Sequence, residues 1–550
     1  MTAATGTTRA TSTPSARRTT FAGTGTLVRL GLRRDRVKLP AWVAGLGIFV
    51  LYIGNALPLL APTQKDLAAL VPMFTQPVGR MFTGPAFGMD DPTYERFFAA
   101  GYTPYLFLLA ALMNIFLVVR HTRQEEETGR AELLRANVTG RYAPLTAAIV
   151  IALITNALVL VVVSGLAITN GFATTGSLLV GLGTALSGLA FAGVTAVTVQ
   201  LSEFSRPAAG MAGGVLGAAF VIRAVGDMAA PGGSALSWFS PLAWPAQTAP
   251  YVHDRWAPLL LLVLVAVAGT TAGYLLLGRR DFGASLVAVR PGRPHARPRL
   301  GTPSGLALRL QRGGFLGWGT GILLLGVTDG AFAQAMLDAG EDMPPAMAEM
   351  FSTDALLDGY SSFLGAFVTV LIAAYAVFGV RTLRVEEDSG RTDTVLATPI
   401  GRSGWLGSHL AVVAVGAVVI SVVTGVCTGL AAAAVTGDAD VIGMVTVAHV
   451  ALVPAALVVA GLGAALYGWA PRLVAPLCWV LVVWMGVVEF FGELLQLPDA
   501  LVALSPLHQL ASPPVEDFTA GPFLVVLALA VGLALMGLVG FRRRQVDVVG

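Results

Sequence analysis

The sequence predicts an all-α polytopic membrane protein of about twelve transmembrane helices, arranged as two tandem six-helix halves that repeat in parallel. Three observations carry this. The 550-residue chain is 55% hydrophobic and only 12% charged, with a mean hydropathy of +0.74, about half the charge of a soluble domain. Apolar runs of about 20 residues, long enough to cross a hydrocarbon core as helix, recur along it without the alternation that barrel strands need. Several motifs occur twice, in one order and at nearly one spacing.

Residues 1–22 are rich in Ser, Thr, Ala and Arg and hold little to bury, which predicts disorder. No apolar stretch precedes Leu39, so the first span is expected to act as its own insertion signal, without a cleavable leader. From Leu27 to Lys38, apolar Leu27, Val28, Leu30 and Leu32 mix with Arg29, Arg33, Arg34, Arg36 and Lys38. That balance suits a helix lying in an anionic membrane surface, or a positive flank that only sets topology.

Spans are expected at 40–60, 102–119, 144–168, 177–199, 209–228 and 257–277, then at 314–335, 362–380, 405–432, 441–467, 473–492 and 521–541. The chain thus divides into a cytoplasmic tail with an interfacial segment (1–39), a first transmembrane half (40–281), a linker with a second interfacial segment (282–313), and a second transmembrane half (314–550). The linker carries RPGRPHARPRLGTPSG at 290–305, basic and rich in Pro and Gly. Basic residues fill alternate gaps between the spans, leaving only Lys65, Arg80, Arg96 and Arg255 in the other gaps and Arg223 inside a span. Acidic residues gather on the opposite side, Asp338, Glu341, Asp342, Glu349, Asp354 and Asp358 in one loop. This asymmetry places both termini in the cytoplasm of a multi-pass protein.

The most specific repeat is RHTRQEEETGRAELLRANVTGR, from Arg120 to Arg141, written again as RTLRVEEDSGRTDTVLATPIGR from Arg381 to Arg402. The copies align without a gap at an offset of 261, sharing Arg120/Arg381, Arg123/Arg384, Glu125/Glu386, Glu126/Glu387, Gly129/Gly390, Arg130/Arg391, Ala136/Ala397, Gly140/Gly401 and Arg141/Arg402. Leu30-x-Leu32-Arg33-x-x-Arg36 recurs as Leu306-x-Leu308-Arg309-x-x-Arg312 before the first span of each half. Ser240-Pro241-Leu242 recurs as Ser505-Pro506-Leu507 before each last span, and Arg279-Arg280 as Arg542-Arg543 after it. Parallel repeats of this kind are expected to sit about an axis along the membrane normal.

Within the loop, Glu126 precedes Arg130 and Glu387 precedes Arg391 by four residues, the favourable direction for a helical ion pair worth a few tenths of a kcal/mol. Gly129 and Gly390 would cost about 1 kcal/mol in a helix interior, so a break is expected there. A short helix would follow, near 130–137 and 391–398, with Glu132 and Asp393 in its first turn. A loop that only sets topology needs no more than positive charge. Its duplication in register favours two equivalent docking points for a soluble partner.

Several classes are excluded or disfavoured. Lys38 and Lys65 are the only lysines, and neither follows Gly and precedes Ser or Thr, so the chain carries no P-loop. Cys427 and Cys478 both fall in expected spans, which rules out a disulfide framework. The six histidines form no ligand spacing, and no catalytic constellation stands out. No metal, no cofactor and no nucleic-acid partner is expected.

At the E-E-x-x-G-R loop, with the surface segment before each first span and the Arg-Arg after each last one, the sequence resembles the membrane subunits of bacterial ABC-2 type exporters. It is similar to their fused twelve-span form in actinobacterial exporters of polyketide antibiotics of the tetronasin type and related multidrug exporters. The similarity covers nearly the whole chain after the N-terminal tail. In that family the loop is the coupling helix, seated in a groove of the ATP-binding subunit. The resemblance implies that Glu125, Glu126, Gly129 and Arg130, with Glu386, Glu387, Gly390 and Arg391, contact two copies of a separate ATPase. Mg-ATP would then belong to that partner, and a lipophilic or amphipathic compound would leave across the bacterial plasma membrane. The second copy departs from the first, with Pro399 for Val138 and Thr394-Val395 for Leu133-Leu134, which puts the equivalence of the two docking helices in doubt.

Inside the membrane, Arg223 and Asp227 lie four apart in the fifth span, placed for an ion pair or for contact with substrate. A twelve-span proton-driven antiporter is the alternative architecture. It needs a membrane-embedded acid, for which Asp227, Asp329 and Glu489 are available, although neither half repeats the other's.

Overall fold

Each of the twelve apolar runs is helical in the computed structural model, which describes residues 20–129, 139–281, 283–287, 294–295, 297–339, 356–492 and 497–546. The reason is general: backbone polar groups inside a bilayer find partners only within a helix or a closed barrel. The first half comprises α1 (Thr24–Arg34), α2 (Lys38–Leu60), four short helices α3 (Gln64–Ala69), α4 (Val71–Thr75), α5 (Pro77–Thr83) and α6 (Tyr94–Gly101), then α7 (Thr103–His121), α8 (Arg123–Glu127), α9 (Ala143–Thr169), α10 (Thr174–Leu201), α11 (Ser205–Ala229) and α12 (Pro258–Arg279). The second comprises α13 (Pro303–Ala331), α14 (Ala333–Ala339), α15 (Leu356–Asp388), α16 (Arg391–Leu396), α17 (Arg402–Thr436), α18 (Asp440–Ala451), α19 (Val453–Trp469), α20 (Val474–Phe491), α21 (Asp499–Val502) and α22 (Ala520–Arg543). No strand occurs among the described residues.

Among the described residues, eleven helical segments are long and apolar enough to cross a membrane, with α7–α8 and α18–α19 each counting as one. The expected span at 314–335 is the exception. Most of it, to Ala331, lies in the 29-residue α13, where glycines and Asp329 dilute the apolar run. At 1.5 Å per residue α13 is still about 43 Å long, enough to span. Proline marks many helix starts. Pro104, Pro144, Pro258, Pro303 and Pro454 stand in the first turns of α7, α9, α12, α13 and α19, where a missing N–H breaks no bond.

The chain separates into two compact units, residues 1–67 with 74–290 and residues 68–73 with 291–550. In the first, α10 is enclosed by α7, α9, α11 and α12. Its contact with α12 is close because Gly193 faces the α12 backbone, where a Cβ would stand 2.8 Å from the Ala266 carbonyl. In the second, α19 meets α22 the same way, and a Cβ at Gly461 would come within 2.5 Å of the Ala530 carbonyl. Asn114 of α7 and Asn156 of α9 exchange side-chain bonds at 3.2 and 2.8 Å deep in the first unit. The positions 261 residues on hold Tyr375 and Ala417, which cannot reproduce that exchange.

The two interfacial segments differ, contrary to the expectation of a separate surface segment in each half. In the first half α1 ends at Arg34 and α2 begins at Lys38, with Asp35 between them drawn to Arg120 at 2.7 Å and His121 at 2.8 Å. In the second, Gln311 stands where Asp35 does, stays within helix and donates to the His409 carbonyl at 3.3 Å. The segment 306–312 therefore runs straight into the span as part of α13. Of the expected acidic loop, Glu341, Asp342, Glu349 and Asp354 lie outside the described residues.

Candidate functional site

The two repeated loops are built on opposite principles from the same letters. In the first, α7 ends at His121, Thr122 breaks the helix and α8 carries the acidic run to Glu127. Gly129 then turns the chain at φ 72°, the left-handed region that glycine enters without a Cβ clash. In the second, α15 continues unbroken through Asp388 before Gly390 turns at φ 69°, and α16 follows from Arg391 to Leu396. The short helix expected near 391–398 is thus present as α16. Arg130, Glu132 and the helix expected near 130–137 lie outside the described residues, so the Glu126–Arg130 pair is not part of this description.

The expected pair between Glu387 and Arg391 does not form. The turn at Gly390 takes Arg391 off the α15 helix face, and its guanidinium grips Glu386 instead, with both nitrogen–oxygen distances at 2.7 Å. Those hydrogen bonds and the carboxylate charge hold the Arg391 pKa above its ordinary value. Glu387 turns inward, its side chain only 1% exposed, and takes both oxygens to Arg544 at 2.7 and 2.8 Å. Arg544 lies just beyond the last helix of its half. In the first loop Glu126 does the same, accepting from Arg280 at 2.6 and 3.0 Å, again just beyond the last helix.

A second arginine completes each arrangement. Arg141 donates to the carbonyls of Leu277 and Arg280 at 2.9 and 2.6 Å, capping the C-terminal end of α12. Arg402 reaches the carbonyls of Phe541, Arg542 and Arg544 at the end of α22. Free carbonyls and the negative end of the helix dipole both favour a cation there. Each loop is therefore latched to the last span of its own half by one carboxylate and two arginines. Sequence spacing hides this latch, since Glu126 and Arg280 are 154 residues apart and Glu387 and Arg544 are 157 apart. The repeated arginines were the available signal. Their pairing needs one correction: Arg280 matches Arg544 in geometry, not Arg543.

The remaining contacts separate the copies. Glu125 pairs with Arg34 of α1, whereas its counterpart Glu386 is taken by Arg391. Glu127 accepts from the Ser205 amide at 3.0 Å and its hydroxyl at 2.5 Å, so an anion sits at the N-terminus of α11. Its counterpart Asp388 pairs with Arg384 at 2.8 Å. Arg123 is fully buried, bound to Glu126 at 2.6 Å and to the carbonyls of Val199 and Ala284. Its counterpart Arg384 is a quarter exposed and stands 3.4 Å from Glu387. Asp35 is held below the ordinary carboxylate value although burial acts the other way, because hydrogen bonds and charge from Arg120 and His121 outweigh it.

Most of the expected contact acids are thus turned away from solvent. The exposed side chains of the second loop are those of Arg381, Asp388, Ser389, Arg391, Thr394, Ala397, Thr398 and Pro399. Farther along, Arg223 and Asp227 are both fully buried and pair at 3.3 Å. Ser237 donates to the Asp227 carboxylate at 2.7 Å, and Arg223 donates to the Met81 carbonyl at 2.8 Å. Arg80 adds bonds to the Asp227 and Met228 carbonyls, so the pair ties α11 to α5. Asp329 and Glu489 are partly buried in α13 and α20, and neither forms an ion pair among the described residues.

Known proteins agree with this twofold construction. The family model described as multidrug efflux system permease Rv1217c, C-terminal domain, matches residues 25–277 and again residues 300–542, one match per half. The multidrug efflux system permease protein Rv1217c of Mycobacterium tuberculosis (strain ATCC 25618 / H37Rv) is 36% identical over 540 residues, covering 96% of this chain and 96% of that protein. With both halves matched and nearly the full length aligned, the chain belongs to the Rv1217c family of multidrug efflux system permeases, ABC-2 type exporter permeases that cross the membrane many times.

Proposed function

We propose that this chain is the permease subunit of an ATP-driven exporter that moves lipophilic or amphipathic compounds, drugs and antibiotics among them, out of the cell. Two copies of a separate ATP-binding subunit would dock on residues 120–141 and 381–402, with both termini and both loops in the cytoplasm. The observation that carries this reading is the duplicated latch. A loop that only sets topology has no use for a carboxylate fixed to the end of a distant span. A loop that receives a push does, because the push is then delivered to the last span as well as to the two spans flanking the loop. The outer surface of each loop would meet the partner, while Glu126 and Glu387 would hold the loop in shape. Absence of a P-loop from the sequence supports placing hydrolysis in another chain.

The test is reconstitution in vesicles with and without a co-purified ATP-binding partner. Transport of a lipophilic dye should require ATP and stop when the partner's catalytic glutamate is replaced, with the proton gradient dissipated throughout. Transport by this chain alone, driven by a proton gradient, would replace the proposal with the antiporter reading.

A further inference from the structure

The two halves also differ at the hairpin that precedes each last span. In the first half Trp244 follows Ser240-Pro241-Leu242, and it packs, partly buried, against the cluster of Leu179, Ala190, Leu259 and Leu262 on α10 and α12, to which Leu182, Leu186 and Val265 also belong at the edge. The indole nitrogen donates to the Trp238 carbonyl at 2.7 Å. In the second half the residue 265 positions on is Gln509, and its amide donates to the carbonyl of Ala503, also 265 positions on, at 3.1 Å. The hydrogen bond is preserved while the aromatic ring is gone. Where the ring packs in the first half, the second has an open apolar groove of about 650 Å³, with Leu504, Val525 and Leu529 exposed along it. Its wall includes Val458, Val526 and Leu529, at positions equivalent to Ala190, Leu262 and Val265 of the filled cluster. This register is fixed by the matching backbone contacts of Gly193 with Ala266 and Gly461 with Ala530.

We propose that the second half holds one hydrocarbon chain of a membrane lipid in this slot between α19, α20 and α22. The volume is that of a ligand site rather than a packing flaw. Hydrocarbon seated in an apolar groove gains dispersion contacts along its lining, and the bilayer supplies hydrocarbon at high concentration. Shape selects the occupant. The slot follows α22 from Pro522 to Leu533, about 16 Å along the helix axis, so it runs parallel to the chains of the surrounding lipid. Gln509, the single polar side chain in its wall, stands at the hairpin end, where the polar part of a lipid in that leaflet would meet it. The site is independent of the ATPase reading.

The test uses native mass spectrometry of the full chain released from a mild detergent. The unaltered protein is expected to retain one adduct of phospholipid mass after delipidation. Gln509→Trp, which copies a side chain the first half already accommodates, should lower that occupancy at least five-fold while leaving the elution volume and unfolding temperature intact. Leu529→Trp fills the slot from its exposed wall and should do the same, so the inference stays testable if the first variant folds poorly. Trp244→Gln should create a second adduct. Equal occupancy in the unaltered and filled proteins, no adduct in the unaltered protein, or an adduct whose mass is not that of a lipid overturns the proposal.

Discussion

In the first loop Glu126 is shared by two arginines, Arg123 and Arg280, that are themselves almost fully buried; in the second, Glu387 is the buried partner, and Arg384 and Arg544 keep some contact with water. The exposed fraction of the side chains is 12% for Glu126 against 0% and 4% for its arginines. It is 1% for Glu387 against 24% and 14%. One latch buries the cations and the other buries the anion. Arg544 also lies over the rings of Tyr467 and Phe541, at 5.2 and 5.7 Å, which holds it in place by cation–π attraction. The comparison shows that a repeated motif can retain a mechanical connection while exchanging which charge pays the desolvation.

The largest expected effect follows from that exchange. Leaving a buried charge without its partner costs about 3–5 kcal/mol. Arg544→Gln leaves Glu387 with the 3.4 Å contact to Arg384 as its remaining ion pair, and should destabilise by about 3 kcal/mol. Arg280→Gln leaves Glu126 with Arg123 at 2.6 Å, and should cost about 1 kcal/mol. Removing the carboxylate reverses the order: Glu126→Gln strands two buried cations, whereas Glu387→Gln frees arginines that can reach water. Unfolding in detergent, with all four variants compared, should show this crossing. The same rank order in both series would mean that the two latches do not differ as their burial indicates. Function gives a second readout. If the proposed ATP-binding partner docks on the loops, Arg544→Glu should abolish coupled transport while that partner still co-purifies, and Glu387→Arg in the same chain should restore part of it.

A smaller effect separates the interfacial segments. The Asp35 carboxyl titrates below its ordinary value of 3.8, held down by Arg120 and His121 against the opposing effect of burial. A depressed acid contributes stability that is complete above its unfolded pKa and disappears as pH falls through the folded one. The contact of residues 24–38 with the end of α7 should therefore loosen below about pH 4, while residues 303–315, with Gln311 in the corresponding place, should not respond. Hydrogen exchange of the two segments between pH 6 and pH 3 checks this. Asp35→Asn should cost about 2 kcal/mol, the worth of hydrogen bonds to charged groups, and erase the difference in pH response.

The spans were legible because hydropathy over 20 residues is dictated by the bilayer and little else. The loops were legible because nine identical residues at one offset stand out against apolar runs. Neither route could reveal that Glu387 points at Arg544, since nothing in local spacing connects a loop to the end of a span 157 residues away. The i,i+4 reading of Glu387 and Arg391 failed for a local reason: it assumed helix through a glycine that sits at positive φ. Asp35 against Gln311 was visible as a difference in letters. Only the position of Arg120 and His121 shows why the acid ends a helix that the amide continues. The slot beside Gln509 was likewise hidden, because an absent ring registers only when its neighbours are placed.

The smallest effect is expected to be equal in the two halves, which makes it the control for the others. Gly129 and Gly390 hold φ values of 72° and 69°, and a Cβ at either would meet no atom of the described residues within 4 Å. Replacement by alanine therefore brings no clash, only the strain of a left-handed backbone, about 1 kcal/mol at each position. Gly129→Ala and Gly390→Ala should shift the unfolding midpoint by the same small amount and leave partner binding nearly unchanged. A much larger loss at Gly390 alone would show that the turn into α16 tolerates no relaxation. The asymmetry between the loops would then reside in the backbone and not, as the latches indicate, in which charges are buried.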